Sequence, residues 1–187
     1  MVIVNTEKVI EAIKGDKNAF VELIEERKAD IFRLSYVYLK DNNDSLDLVS
    51  ETVSKAYSSI KKLNTPEFFN TWITKITMNC CLNFLKKKKR ISENELQLME
   101  SEQIYQLADD GEDILDTLEL NIDLQEAIDR LDFNLKTIII LKYFQDFTIN
   151  QISEILSSPS GTVKSHLNKA LGILRRELAN LKAVVKE

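Results

Sequence analysis

Apolar residues recur along most of this chain at intervals of three and four, the period of a helix face rather than of a strand. Residues 6–14 carry that pattern and meet Gly15 at their end. Asp16 stands where a cap is wanted for a second helix, which sets Phe20, Leu23, Ile24, Ile31, Leu34 and Tyr38 on one side and runs to about Lys40. The polar triplet Asp41, Asn42 and Asn43 reads as a turn. A third helix then spans about Asp44 to Lys61, burying Leu48, Val49, Val53, Ala56 and Ile60 and exposing Asp47, Ser50, Glu51, Ser54 and Lys55. A loop follows over Lys61–Thr65, and Pro66 opens a fourth helix to about Lys89. Four helices with short connections make one small bundle.

Periodicity fades over residues 91–117, which are rich in Glu, Asp, Ser and Gln and read as a flexible linker with one frayed turn around Leu96–Leu107. Helices resume at about Leu118 to Arg130, through Leu120, Leu124 and Ile128. Behind Asp132 as a cap, Leu135, Ile138, Ile139, Leu141 and Phe144 mark another. Thr148 with Gln151 three residues on forms a capping box, and Ile149, Ile152, Ile155 and Leu156 follow at helical spacing. Ser158 and Pro159 suit the N-cap and first position of a last helix carrying Val163, Leu167, Ala170, Leu171, Leu174 and Leu178. Two helices joined by a short turn are a helix-turn-helix, whose second helix normally enters a DNA major groove. The expected architecture is all-α: two small helical domains, 1–90 and 118–187, joined by the acidic linker 91–117, with the helix-turn-helix in the second.

Composition supports this. The 187 residues include only four Gly and two Pro, and 44% are hydrophobic, enough for two compact cores. The formal net charge of −5 argues against a nucleic-acid partner until it is resolved along the chain. Residues 1–90 carry a net +4, residues 91–129 a net −13 with no basic side chain, and residues 130–187 a net +4. Two basic blocks flank one acidic block.

Chemistry narrows the choice further. No phosphate-cradling loop, metal-ligand cluster or activated nucleophile stands out, and His166 is the only histidine. Neither a cofactor nor a metal is expected, and the chain does not read as an enzyme. Cys80 and Cys81 are adjacent, cannot bridge without severe strain, and suit small apolar helix positions in a reducing compartment. With neither a secretory leader nor an apolar run near 18 residues in length, the expected location is the cytoplasm, without membrane insertion.

On the last helix, Gly161, Ser165, Asn168 and Lys169 lie opposite the apolar set, with Thr162, Lys164 and His166 on the flanks. Small groups, amides, hydroxyls and cations are what a groove-reading helix needs, although an ordinary solvated helix face has the same look. The fourth helix combines Phe68, Phe69, Trp72, Ile73 and Ile76 with Asn79 and Asn83, and closes on Lys86 to Arg90. Aromatics and amides beside a cationic run suit unstacked bases next to a phosphate backbone. Core packing suits Phe69, Ile73 and Ile76 better, and terminal cations also favour a helix dipole. Two other readings stay open: a stand-alone helix-turn-helix regulator, and a scaffold that lays its basic run on anionic lipid.

Taken in order, these motifs resemble the extracytoplasmic-function (ECF) sigma factors, the minimal two-domain members of the bacterial sigma-70 family. DLVSETVSKAY at Asp47–Tyr57 resembles the family's polymerase-binding helix. FFNTWITKITMNCCLNFLKKKKR at Phe68–Arg90 resembles its promoter-melting helix, and the stretch Leu131–Leu171, with GTVKSHL inside it, resembles its −35-reading domain. The resemblance implies a sigma factor that directs core RNA polymerase to promoters and promotes strand opening. Its implied partners are the polymerase β′ and β subunits, promoter DNA and an anti-sigma factor.

Carried across by position, Asp47, Ser50 and Glu51 would dock on the β′ coiled coil. Lys62, Asn64, Phe68, Trp72, Asn79, Asn83, Lys86, Lys87 and Arg90 would face the −10 element, with a flipped base held by the loop Lys62–Phe69. Thr162, Lys164, Ser165, His166, Asn168 and Lys169 would face the −35 element. Five positions depart from the family's pattern. Ser50 replaces a usual Gln, and Asp146 and Ser157 replace usual glycines. His166 and Asn168 stand where Arg is common, which implies a changed −35 preference because Asn suits adenine and Arg guanine.

Overall fold

The computed structural model describes residues 4–98 and 122–184, and every regular element among them is a helix or helical turn. These residues fall into two compact units, one on either side of the undescribed stretch.

In the N-terminal unit, α1 (Thr6–Lys14) is capped by the Asn5 side chain, which accepts from the Lys8 amide at 3.2 Å. It ends on Gly15 at φ 107°, a left-handed conformation that costs glycine nothing. Gly15 N–H donates to the Ala12 carbonyl and Asp16 N–H to that of Glu11, a Schellman closure. Asp16 at once starts α2 (Lys17–Leu39), its Oδ1 accepting from Asn18 and Ala19 amides at 2.8 and 3.1 Å. Two residues thus end one helix and begin the next.

The expected turn before the third helix is shorter than the polar triplet suggested. Lys40 takes the left-handed conformation, Asp41 caps α3 (Asn42–Ser59) by accepting from the Asp44 amide, and Asn42 and Asn43 already lie inside the helix. Two single 3-10 turns, Ile60–Lys62 and Pro66–Phe68, connect to α4 (Phe69–Leu98). That last helix continues past Lys89 into the stretch expected as linker. Residues 91–98 contain no Gly or Pro and several strong helix formers, so nothing local stops it. The remainder of the linker reading, 99–117, lies outside the described residues, as do residues 118–121 of the next expected helix.

One cluster of this unit joins Val9, Ala12, Phe20, Leu23, Ile24 and Ile31 to Val49, Ala56, Ile60, Leu63, Phe69 and Ile73. Another joins Leu39 and Leu48 to Cys80 and Cys81. Both cysteines are free and buried.

The C-terminal unit comprises α5 (Ile122–Asp129), α6 (Phe133–Ile139), α7 (Ile149–Leu156) and α8 (Ser160–Val184). Asp132 caps α6 through the Leu135 amide at 3.0 Å. The helix expected to reach Phe144 widens instead into a π turn over Ile140–Phe144, closed by Gln145 N–H on the Ile140 carbonyl at 3.1 Å. Asp146, at φ 55°, then turns the chain toward Thr148. The capping box forms as expected: Gln151 N–H donates to Thr148 Oγ1, and Gln151 Oε1 accepts from the Thr148 amide. Against expectation, Ser158 is no N-cap. Its hydroxyl donates back to the Leu156 carbonyl at 3.3 Å, and the Pro159 carbonyl takes the first bond of α8, from Val163 N–H at 3.1 Å. α5, α6 and α7 all pack on α8. The core holds Ala127, Ile128, Leu131, Leu135, Ile139, Ala170 and Leu174.

Candidate nucleic-acid interface

The candidate interface on the C-terminal unit is dictated by what α8 buries. Val163, Ala170 and Leu174 point inward, so the turns between them present their other side to solvent. Thr162, Lys164, Ser165, Asn168 and Lys169 are all exposed, and His166 is half-buried on the flank. Asn168 and Arg175, seven residues apart, fall on one line of the helix, and Arg175 is exposed as well. Arg175 was missed in the sequence; the seven-residue spacing was the available signal. One short connection joins this helix to α7. Ser157 takes φ 49°, and the Ser153 hydroxyl donates to the Ser158 carbonyl at 2.6 Å. The surface offers amide, hydroxyl and cationic groups without a competing carboxylate on residues 160–176.

In the N-terminal unit, Phe69 is core, 1% exposed, and Trp72 is half-buried with its ring 5.9 Å from that of Phe69 at a 38° tilt. Phe68, at 44% exposure, leaves the core altogether. Lys62 and Asn64 in the connection are exposed beside it. From Trp72, the steps to Asn79, Asn83, Lys86 and Arg90 are seven, four, three and four residues, which at 3.6 per turn draws one stripe along α4. Lys75 belongs to the same stripe, three residues beyond Trp72 and four before Asn79, and was not anticipated. Lys86, Lys87 and Arg90 are exposed, whereas the Lys88 ammonium turns back to Asp44 at 3.3 Å. An aromatic, a cation, two amides and then further cations follow each other along a single face.

A third surface lies on α3. Asp47, Ser50 and Glu51 are exposed as expected, with Leu46 (53%) beside them. Ser50 Oγ donates to the Leu46 carbonyl at 3.1 Å, and Glu51 pairs with Lys55 one turn on. That carboxylate holds the Lys55 ammonium above its ordinary range, against the opposing effect of burial. Between α2 and α3 runs an apolar groove over Phe20, Val21, Ile24, Val49, Val53 and Tyr57, with Lys17, Lys28 and Glu25 at its rim. The exposure of Val21 and Tyr57 was not foreseen, because periodicity does not say where a helix face outruns its neighbours.

Among the described residues, no three His, Cys, Asp or Glu side chains gather as a metal site, and no helix is long and apolar enough to cross a membrane.

Comparison with known proteins gives this geometry its context. The model of sigma-70 region 2 matches residues 23–91, and that of sigma-70 region 4 matches residues 121–174. The chain is 37% identical to RNA polymerase sigma factor SigV of Bacillus subtilis, over 87% of this chain and 92% of that protein. It is 32% identical to ECF RNA polymerase sigma factor SigW of the same organism, over 90% of this chain and 93% of the relative. In fold it is similar to CnrH, solved with the cytosolic domain of CnrY, at a TM-score of 0.68 and 16% identity, covering 95% of this chain and 98% of that one. RpoE of Bartonella quintana, solved with the anti-sigma factor NepR, gives 0.67 and 19%, with coverages of 86% and 96%. The region 2 match disfavours a stand-alone helix-turn-helix regulator, which has no use for that domain. With both regions matched in order and relatives above 30% identity along nearly the whole chain, this protein belongs to the ECF sigma factors of the sigma-70 family and is an RNA polymerase sigma factor.

Proposed function

We propose a division of labour within this sigma factor. Residues up to about 90 dock on core polymerase and capture the −10 element, and residues from about 118 onward read the −35 element. Asp47, Ser50 and Glu51 meet the β′ coiled coil, and the apolar groove at Val21 and Tyr57 continues that face. Thr162 and Arg175 hold phosphates, while Lys164, Ser165, His166, Asn168 and Lys169 address base edges, each good bidentate contact discriminating by about 1–3 kcal/mol. Lys62, Asn64 and Phe68 surround a base drawn out of the stack next to Trp72. Unstacking costs a few kcal/mol, which the pocket offsets, so opening is driven by binding. Asn79 and Asn83 contact the melted strand, and Lys86, Lys87 and Arg90 its backbone. RNA synthesis itself belongs to the polymerase.

The observation that carries this reading is the single stripe on α4, aromatic to amide to cation. A surface built only for solubility has no reason to align Trp72, Asn79 and Asn83 with Lys86 and Arg90. The protein works in the cytoplasm, where polymerase and chromosome are. An anti-sigma factor is its proposed inhibitor, covering the acidic face of α3 and the groove beside it.

Mixing the purified chain with bacterial core polymerase and a library of promoter fragments tests the proposal. Selective recovery of fragments sharing two spaced elements, with permanganate-reactive thymines in the downstream one, is the expected result. Tight binding of closed duplex by the free chain, together with indifference to core polymerase, rejects it.

A further inference from the structure

The region 2 match begins at Leu23, so α1 lies outside it. Yet α1 packs on both 3-10 turns between α3 and α4, as well as on α2. Those turns have little order of their own. Leu63 N–H donates to the Ile60 carbonyl and Phe68 N–H to that of Thr65, each at 3.0 Å, and such three-residue bonds are poorer in geometry than those of an α-helix. The outward residues Lys61, Lys62, Asn64, Thr65, Glu67 and Phe68 are exposed. The inward ones, Ile60 and Leu63, join Val9 (0% exposed) and Ala12 (2%) in one buried cluster with Phe69 and Ile73. A helix of nine residues is too short to persist alone, so α1 keeps its place through that cluster and through Lys8. The Lys8 ammonium lies 2.9 Å from Glu22 and 3.1 Å from Glu26, keying α1 onto α2.

We propose that α1 is the positioning element of the base-capture loop: Val9 and Ala12 back the segment Ile60–Phe69, so that its exposed side chains meet the −10 strand already in order. The inference rests on the reading of that loop as the −10 site. A site that is competent only part of the time binds in proportion to its competent fraction. Loosening the backing therefore lowers strand capture. The docking residues of α3 (Asp47, Ser50 and Glu51) are exposed side chains outside this cluster, while Val49 of the same helix belongs to it and Val53 packs on it, so affinity for polymerase is the control that the experiment must read.

The test uses full-length chains assembled with core polymerase on a promoter recovered from the library. Wild type, Val9→Ala and Leu34→Ala are compared for core affinity and for permanganate reactivity in the −10 element. Leu34 is 3% exposed on α2 and is not part of that cluster, so its truncation measures general destabilisation. Val9→Ala is expected to lower the open-complex equilibrium by about tenfold with core affinity within about twofold, and Leu34→Ala to leave opening within about twofold. Equal losses in the two variants, or none in Val9→Ala, overturn the proposal. Lys8→Gln cuts the ion pairs without leaving a cavity; a smaller loss of the same pattern supports the proposal, and unchanged opening overturns it, even where Val9→Ala does not fold. A wild-type holoenzyme that binds core but opens no promoter counts instead against the base-capture reading itself.

Discussion

Cys81 lies out of contact with solvent beside Leu39 and Leu48, and burial pushes its thiol up to about 12, from 9.0 in the open chain. Burial also raises the Cys80 thiol. The folded protein therefore keeps Cys81 neutral where the unfolded chain ionises it. Below pH 9.0 the thiol is neutral in both states and folding loses nothing by it; as pH rises from 9.0 toward 12 the unfolded chain alone gains by ionising, and stability falls. Thermal melts should show a Tm that falls steadily above about pH 9, and Cys81→Ala should flatten that alkaline slope while lowering Tm throughout. A slope unchanged in the variant would assign the alkaline loss to other groups. Adjacency alone ruled out a bridge between the two cysteines. Their burial depended on which helix lies over α4, and spacing within α4 does not carry that.

Helix ends behave differently from helix faces. Gly15 with Asp16, Asp132 and the Thr148–Gln151 pair were all legible, because a cap is a bond between residues three or four apart. The ends of α7 and of the π turn are formed by Ser157 at φ 49° and Asp146 at φ 55°, in a region that side chains with a Cβ enter at a cost. The family's glycine at these places explains why they were suspected. Ser157→Gly should stabilise the C-terminal unit by about 0.5–1 kcal/mol, the relief of left-handed strain less the entropy that glycine adds to the unfolded chain. Urea unfolding followed on the full chain would register this as a higher midpoint without a change in slope. A lower midpoint would mean that the serine side chain holds the turn. The start of α8 escaped the reading by a single residue, because Ser158 found a nearer acceptor in the Leu156 carbonyl.

Taken whole, the molecule spreads its charge so that its net value of −5 says little about either helical unit. On the proposed division of labour, cations on α4 meet a backbone and those on α8 meet base edges as well, so the two sets should differ in kind. Replacing Lys86, Lys87 and Arg90 by Gln should weaken promoter binding about equally for all sequences and flatten its dependence on salt by about one logarithmic unit per charge. Replacing Lys164 or Lys169 should chiefly relax the choice of −35 sequence. Binding curves at several salt concentrations, on matched and mismatched promoters, separate the two outcomes. Identical behaviour of both sets would mean that their roles are wrongly divided.

The chain's sequence by itself determined the helical class, most caps, the apolar faces and the polar stripes, because each depends on residues within a turn or two of one another. It also placed Asp47, Ser50 and Glu51, and the polar face of α8, on the outside. Only the tertiary structure decided what covers each apolar face. It packed α1 on the loop before α4 and left Val21 and Tyr57 uncovered beside a groove. Periodicity assigns a residue to a face, whereas the partner that buries that face comes from elsewhere in the chain.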